Sequence, residues 1–231
     1  MTRKVYFVCA TPGSLGNFVT RLIKGLIDSS AELTDFSQLS YNETLPALLT
    51  KDFFFNNVIL PEEGDIILAV PFTPDYDIIF SRFPTAKVAV ITHTVNECSN
   101  IARSYFKSYY YDSYEISSSA NFRKMLQDHA HLFSNVNATP SELSAKETAI
   151  CDKIITYQKL LDGFCNTEIL NSPNVIELKF NDLVFNTTTI ENILEQFTGG
   201  EFSDTERTLT RDLTTHYIQQ YLSFSRNPFT S

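Results

Sequence analysis

The sequence predicts an α/β fold: a mostly parallel sheet flanked by helices. Three observations carry this expectation. Short continuous apolar runs, bounded by Pro or Gly, recur at 4–10, 65–70 and 87–92, as strands buried on both faces require. Segments of helical period lie between or after such runs, the order that produces parallel strands joined by crossovers. The chain shows no internal repeat and no low-complexity linker, so its 231 residues are read as one domain, 1–231.

Taken in order, Lys4-Val-Tyr-Phe-Val-Cys-Ala10 forms the first strand. Its basic-then-apolar start resembles an export signal. Yet the apolar stretch is only about seven residues, the bottom of the usual range, and a buried strand accounts for it better. Phe18, Val19, Leu22, Ile23, Leu26 and Ile27 recur at helical spacing, predicting an amphipathic helix over 16–28. Asp65–Val70 and Lys87–Thr92 are the next strands, with one or two helical turns expected between Pro74 and Phe83. Leu143, Ile150, Ile154, Tyr157 and Leu161 share a face, predicting a helix over 141–162. A fourth strand is read at Asn174–Phe180. The helix carrying Ile190, Ile193, Leu194 and Phe197 is expected to open on a Thr188/Glu191 capping box and to close at Gly199-Gly200. Ser203/Glu206 is read as the opening of a last helix, with Leu209, Leu213, Tyr217 and Tyr221 on its buried side.

Composition narrows the function. With 18 basic and 27 acidic side chains the net charge is −9, which argues against a binder of nucleic-acid polymers, since phosphate neutralisation needs a basic face. A local pocket can still take a small anion. No apolar run reaches the roughly 18–20 residues of a membrane span. Cys9, Cys98, Cys151 and Cys165 are far apart in sequence, with no C-x-x-C. Neither a disulfide framework nor structural zinc is therefore expected, and a reducing, cytoplasmic setting is the simpler reading. His129 and His131 lie two apart without a third ligand, so no metal is expected there either.

In an open parallel sheet, ligands bind beyond the carboxyl ends of the strands. The first strand–helix junction reads Ala10-Thr-Pro-Gly-Ser-Leu-Gly-Asn-Phe-Val19. Such a loop can aim several N–H groups and a helix start at one anion, or serve as an ordinary turn and cap. It lacks the spacing and the Lys of a Walker A loop, and it is not G-x-G-x-x-G.

Pro12-Gly13-Ser14-Leu15-Gly16-Asn17-Phe18 resembles the 5′-phosphosulfate loop of the sulfotransferases, P-loop-like three-layer α/β proteins that use the donor PAPS (3′-phosphoadenosine 5′-phosphosulfate). Lys87–His93 followed by Asn100-Ile-Ala-Arg-Ser-Tyr-Phe106 is similar to the family's 3′-phosphate strand and helix. Asn174–Val184 with Ile190–Gly199 is similar to its late strand, turn and helix. The resemblance implies a donor site at Gly13, Ser14, Leu15, Gly16 and Asn17, with Arg103 and Ser104 at the 3′-phosphate. It implies sulfuryl transfer to a hydroxyl or amine of a small-molecule or glycan acceptor, with no metal. Gly13 replaces the family's basic loop residue, Thr92 or His93 its strand-end Arg, and its C-terminal Arg-Lys-Gly loop has no counterpart near Ser225-Arg226-Asn227.

Alternatives stand beside each residue. His93, at a strand end, is a candidate general base or a hydrogen-bonded structural His. Arg21 and Lys24 either replace the loop cation or face solvent. The tyrosines at 105–114 either stack on an adenine or belong to the core. Two other functions remain open: a nucleotide-dependent small-molecule kinase, against which the missing Gly-Lys-Ser/Thr speaks, and a non-enzymatic binding or assembly protein on a degraded scaffold.

Overall fold

Along β1 (Val5–Cys9) every residue is buried, and alternate side chains enter two different cores. Val5, Phe7 and Cys9 join one cluster with Ile66, Leu68, Val70, Val88 and Val90; Tyr6 and Val8 join the other with Ile67, Ala89 and Ile91. A strand wanted apolar on both faces has no reason to alternate with polar residues, which is why the run reads as continuous. Each such aromatic is worth roughly 1.5–3 kcal/mol on burial. Truncating Phe7, fully buried, to Ala would cost about 3–5 kcal/mol.

The structure is a computed structural model that describes residues 4–27, 32–34, 65–98, 101, 159–205, 207–208, 210–212 and 215. After β1 come α1 (Gly16–Ile27), β2 (Glu32–Thr34), β3 (Ile66–Val70), α2 (Tyr76–Arg82), β4 (Lys87–Thr92), β5 (Val175–Lys179), α3 (Phe180–Phe185) and α4 (Thr187–Thr198). The five strands lie in the order β2-β3-β1-β4-β5, and each pairing is parallel. This is the α/β architecture expected: α1, α3 and α4 bury their apolar faces in the core on one side, while Ile79 of α2 enters the other. From central β1 the chain first moves to the β2 edge, then crosses to β4 and β5. In open α/β sheets a reversal of this kind marks the place, at the strands' carboxyl ends, where ligands bind.

Several local expectations are corrected. Phe180 does not end β5 but opens α3, because Phe180, Leu183 and Val184 are buried at helical spacing. The Thr188/Glu191 capping box does not form. Asn186 takes the N-cap position without a side-chain bond, and Glu191, fully buried, turns to Arg207, 3.1 Å away. Gly199 closes α4 in the left-handed region (φ 77°), as expected of a glycine there. β2 was not foreseen; three residues at a sheet edge carry too little pattern to stand out. Helical residues begin again at 204, just after Ser203. Glu206, Leu209, Leu213, Tyr217 and Tyr221 lie outside the described residues, as does the 141–162 helix up to 158; residues 159–165 are helical.

Candidate functional site

Between β1 and α1 the backbone folds tightly on itself. Ala10 N–H donates to Val70 O at 3.1 Å, the last tie of the loop to β3. Thr11 O then accepts from Ser14 N–H at 2.9 Å and from the Ser14 hydroxyl at 2.6 Å. Pro12 fills the second position of this turn and Gly13, at φ 90°, the third, the placement a type II turn demands. Leu15 follows at φ 69°, a conformation costing an apolar residue about 1–2 kcal/mol. Its carbonyl accepts from Phe18 and Val19 N–H at 3.0 and 3.1 Å, starting α1.

Across 13–16 the sign of φ alternates: positive at Gly13 and Leu15, negative at Ser14 and Gly16. Alternation of this kind curls successive N–H groups into a concavity that suits an anion. The first turn of the 12-residue α1 adds N–H groups without helical acceptors and partial positive charge. Gly16 is held close to β1, since a Cβ there would stand 2.9 Å from Ala10 Cβ. Ser14 is fully buried and its hydroxyl is committed to the Thr11 carbonyl, so it builds the turn. Asn17 is exposed at the mouth, its carbonyl accepting from Thr20 Oγ1 at 2.8 Å. No Lys or Arg stands between Thr11 and Asn17.

His93 follows the last residue of β4 and is 5% exposed. Its Nε2 lies 3.1 Å from Thr11 Oγ1. Its Nδ1 lies 3.2 Å from Cys165 Sγ and 3.7 Å from Cys98 Sγ, and the two sulfurs are 3.4 Å apart. Both ring nitrogens thus have partners, and a general-base role would require breaking one of these contacts. Burial holds the imidazole below its ordinary value, against the opposing pull of Glu97, the Thr94 backbone and Asp162, so the ring is neutral at neutral pH. Burial likewise pushes the Cys98 thiol up to about 12, reinforced by its bond to Cys165, and raises Cys165 as well.

Sequence reasoning did not bring these three together, because Cys98 and Cys165 are 67 residues apart and His93 and Cys165 are 72 apart. Wide spacing in the sequence does not keep Cys98 and Cys165 apart in the fold, where both are free thiols. One sequence signal was available: Thr94-Val-Asn-Glu97 is a capping box. Glu97 Oε2 accepts from Thr94 N–H at 2.5 Å and from Thr94 Oγ1 at 2.9 Å, opening the helical turn at 95–98 that presents Cys98.

Among the described residues, the other expected ones lie elsewhere. Thr92 Oγ1 donates to Glu177 at 2.6 Å, across to β5. Arg21 is exposed and Lys24 half-buried on α1. The Lys87 ammonium donates to the Phe197 carbonyl and sits 5.4 Å from that ring's centroid; burial holds it below the ordinary lysine value, aided by Lys4. Arg103, Ser104, Cys151, His129, His131 and the tyrosines at 105–114 lie outside the described residues. No helix among the described residues is long and apolar enough to cross a membrane.

No protein-family model matches the chain, and no curated protein matches it. Among solved structures, the chain is similar to mouse sulfotransferase SULT7A1 complexed with PAP, at 13% identity and a TM-score of 0.47. It is also similar to retinol dehydratase in complex with androsterone and the inactive cofactor PAP, at 12% identity and a TM-score of 0.44. Both alignments cover 94% of this chain but only 66% of the other, so the chain spans just under two thirds of the length of these structures.

Proposed function

We propose that the chain is a sulfotransferase-like protein that binds a PAPS-type nucleotide at the loop 13–17. It would transfer the sulfuryl group to a hydroxyl or amine of a small-molecule or glycan acceptor. The observation that carries the reading is the alternating φ at 13–16, placed at the start of α1 and at the carboxyl end of the central strand. The donor would supply a sulfuryl group whose bond to a phosphate oxygen breaks as its bond to the acceptor forms, the acceptor's proton passing to a base. This chain's part is to orient the phosphate through the N–H groups of Gly13, Leu15, Gly16 and Asn17. His93 enters by holding Thr11 at the loop's origin. Arg103 and Ser104 complete the reading at the 3′-phosphate.

A second reading rests on one feature. Gly13 stands where the sulfotransferase loop carries a basic residue, so the loop supplies no side-chain cation to offset charge on the leaving group. On that reading the scaffold binds nucleotide without transferring from it.

Thermal stabilisation by 3′-phosphoadenosine 5′-phosphate against ATP-Mg tests the binding. A ligand at about 100 times its Kd adds about 2.7 kcal/mol. A shift with the bisphosphate alone is expected, and it should vanish in Gly13→Ala. It should persist in Gly199→Ala, which meets the same backbone penalty (φ 77°) away from the loop. A shift only with ATP-Mg would establish kinase-type binding instead, and no shift with either would overturn the nucleotide site. Transfer from labelled PAPS to a panel of acceptors then separates the enzyme from the silent scaffold.

A further inference from the structure

We propose that His93, Cys98 and Cys165 form a zinc site, with Nδ1 and the two sulfurs as ligands. The three candidate atoms converge from three stretches of chain: the end of β4, the helical turn at 95–98, and the end of the helical residues 159–165. Zinc bonds of about 2.3 Å to sulfur and about 2.0–2.1 Å to nitrogen, set tetrahedrally, hold S···S about 3.8 Å and S···N about 3.6 Å apart. The observed triangle has sides of 3.4, 3.7 and 3.2 Å. Seating an ion needs shifts of only about 0.4 Å along those edges. The sulfurs are far outside the roughly 2.05 Å of a disulfide.

Chemistry and surroundings agree with the geometry. Two thiolates and a neutral imidazole suit a thiophilic, tetrahedral cation and balance its double charge, as a half-buried position requires. On binding, two S–H bonds give way to two Zn–S bonds, and both protons leave to solvent. The imidazole is already oriented for the task. Nε2 is tied to Thr11 Oγ1, which leaves Nδ1 for the metal, the outer partner that metal-bound histidines ordinarily have. Three protein ligands leave a fourth position for water or another small donor. Because Thr11 also begins the 13–17 loop, the ion would brace that loop from below. The site stands on its own ligands and is independent of whether the loop binds nucleotide.

Cobalt(II) titration of the reduced, chelator-stripped full chain tests the site. One equivalent should give thiolate-to-cobalt charge transfer and the intense ligand-field bands of tetrahedral cobalt, with two protons released and the spectrum erased by Zn²⁺. Cys98→Ser and Cys165→Ser should each weaken the charge-transfer band, and the double variant should abolish it, while Cys9→Ser leaves it intact. Absence of the bands in the native chain, or their survival in the double variant, would overturn the proposal. If the variants fail to fold, thiol labelling of the native chain decides. Zinc should slow alkylation of Cys98 and Cys165 at least tenfold, and equal rates with and without zinc, or a Cys98–Cys165 disulfide under reducing conditions, would overturn it.

Discussion

The Nε2 of His93 lies 3.1 Å from the hydroxyl of Thr11, joining the end of β4 to the start of the loop after β1. Both residues are buried, at 5% and 1% exposure, so neither polar atom can turn to solvent if the contact is broken. Thr11→Val keeps the shape but removes the hydroxyl and orphans Nε2. A loss of about 1–3 kcal/mol is expected in urea unfolding, with Thr11→Ser close to the native chain. At the zinc site the same variant should weaken metal affinity by about 10–100-fold while leaving the stoichiometry at one. An unchanged affinity would separate Thr11 from the site.

The approach of α1 to β1 makes a sharper prediction. Gly→Ala at a helix position ordinarily gains up to about 1 kcal/mol. At Gly16 the new Cβ would meet Ala10 Cβ at 2.9 Å, and crowding of this kind costs about 1–3 kcal/mol. The clash should win. Ala10→Gly removes the opposing atom, so the double variant should recover most of the loss, a coupling that a thermodynamic cycle measures directly. Additive effects would place the strain elsewhere.

The strands around this contact were legible in the sequence because each buries both faces, which turns Val5–Cys9 and Val88–Ile91 into unbroken apolar runs. The loop Thr11–Asn17 was legible for a related reason: Pro12, Gly13 and Gly16 are punctuation that a tight turn and a close helix start require. Phe180 reads as strand in the sequence because an apolar residue at a strand–helix junction satisfies either period, and only Leu183 and Val184 beyond it decide. The His93–Cys98–Cys165 cluster depends on separations of 67 and 72 residues that no local periodicity encodes. It exists because the helical residues 159–165 end beside His93, which follows the last residue of β4.

Tyr6 carries a hydroxyl that meets no hydrogen-bond partner among the described residues. The side chain is fully buried, its ring edge-on to Phe197 at 6.0 Å between centroids. Burial, with a smaller contribution from Asp65, pushes its pKa up to about 12, so the group stays neutral. Tyr6→Phe keeps the ring contact and discards the hydroxyl. The variant should be neutral or more stable by about 1 kcal/mol, whereas Tyr6→Ala should lose about 3–5 kcal/mol. Chemical denaturation of the three chains checks this, and a loss in Tyr6→Phe would reveal a partner for the hydroxyl.

The tie between α4 and the chain beyond it sets a pH dependence. Glu195 Oε1 accepts from the Phe202 N–H at 2.8 Å and from Arg207 Nη2 at 2.5 Å. These groups favour the carboxylate: the Phe202 bond first, with Arg207 beside it, outweighs the opposing effect of burial and holds Glu195 below its ordinary range. In the unfolded chain the same carboxyl titrates near about 4.3. Above that pH both states are ionised and the stabilisation is fully present. As pH falls, the unfolded chain takes up its proton first, so stability declines and the contribution is gone once pH passes below the folded value. Glu195→Gln should therefore be less stable than the native chain at neutral pH. The difference should shrink steadily on acidification below about pH 4.3, and added salt should reduce only the Arg207 share. Urea midpoints of the two chains across this range read the effect directly; a gap that stays constant down to the acid limit would mean that Glu195 acts through packing and not through its charge.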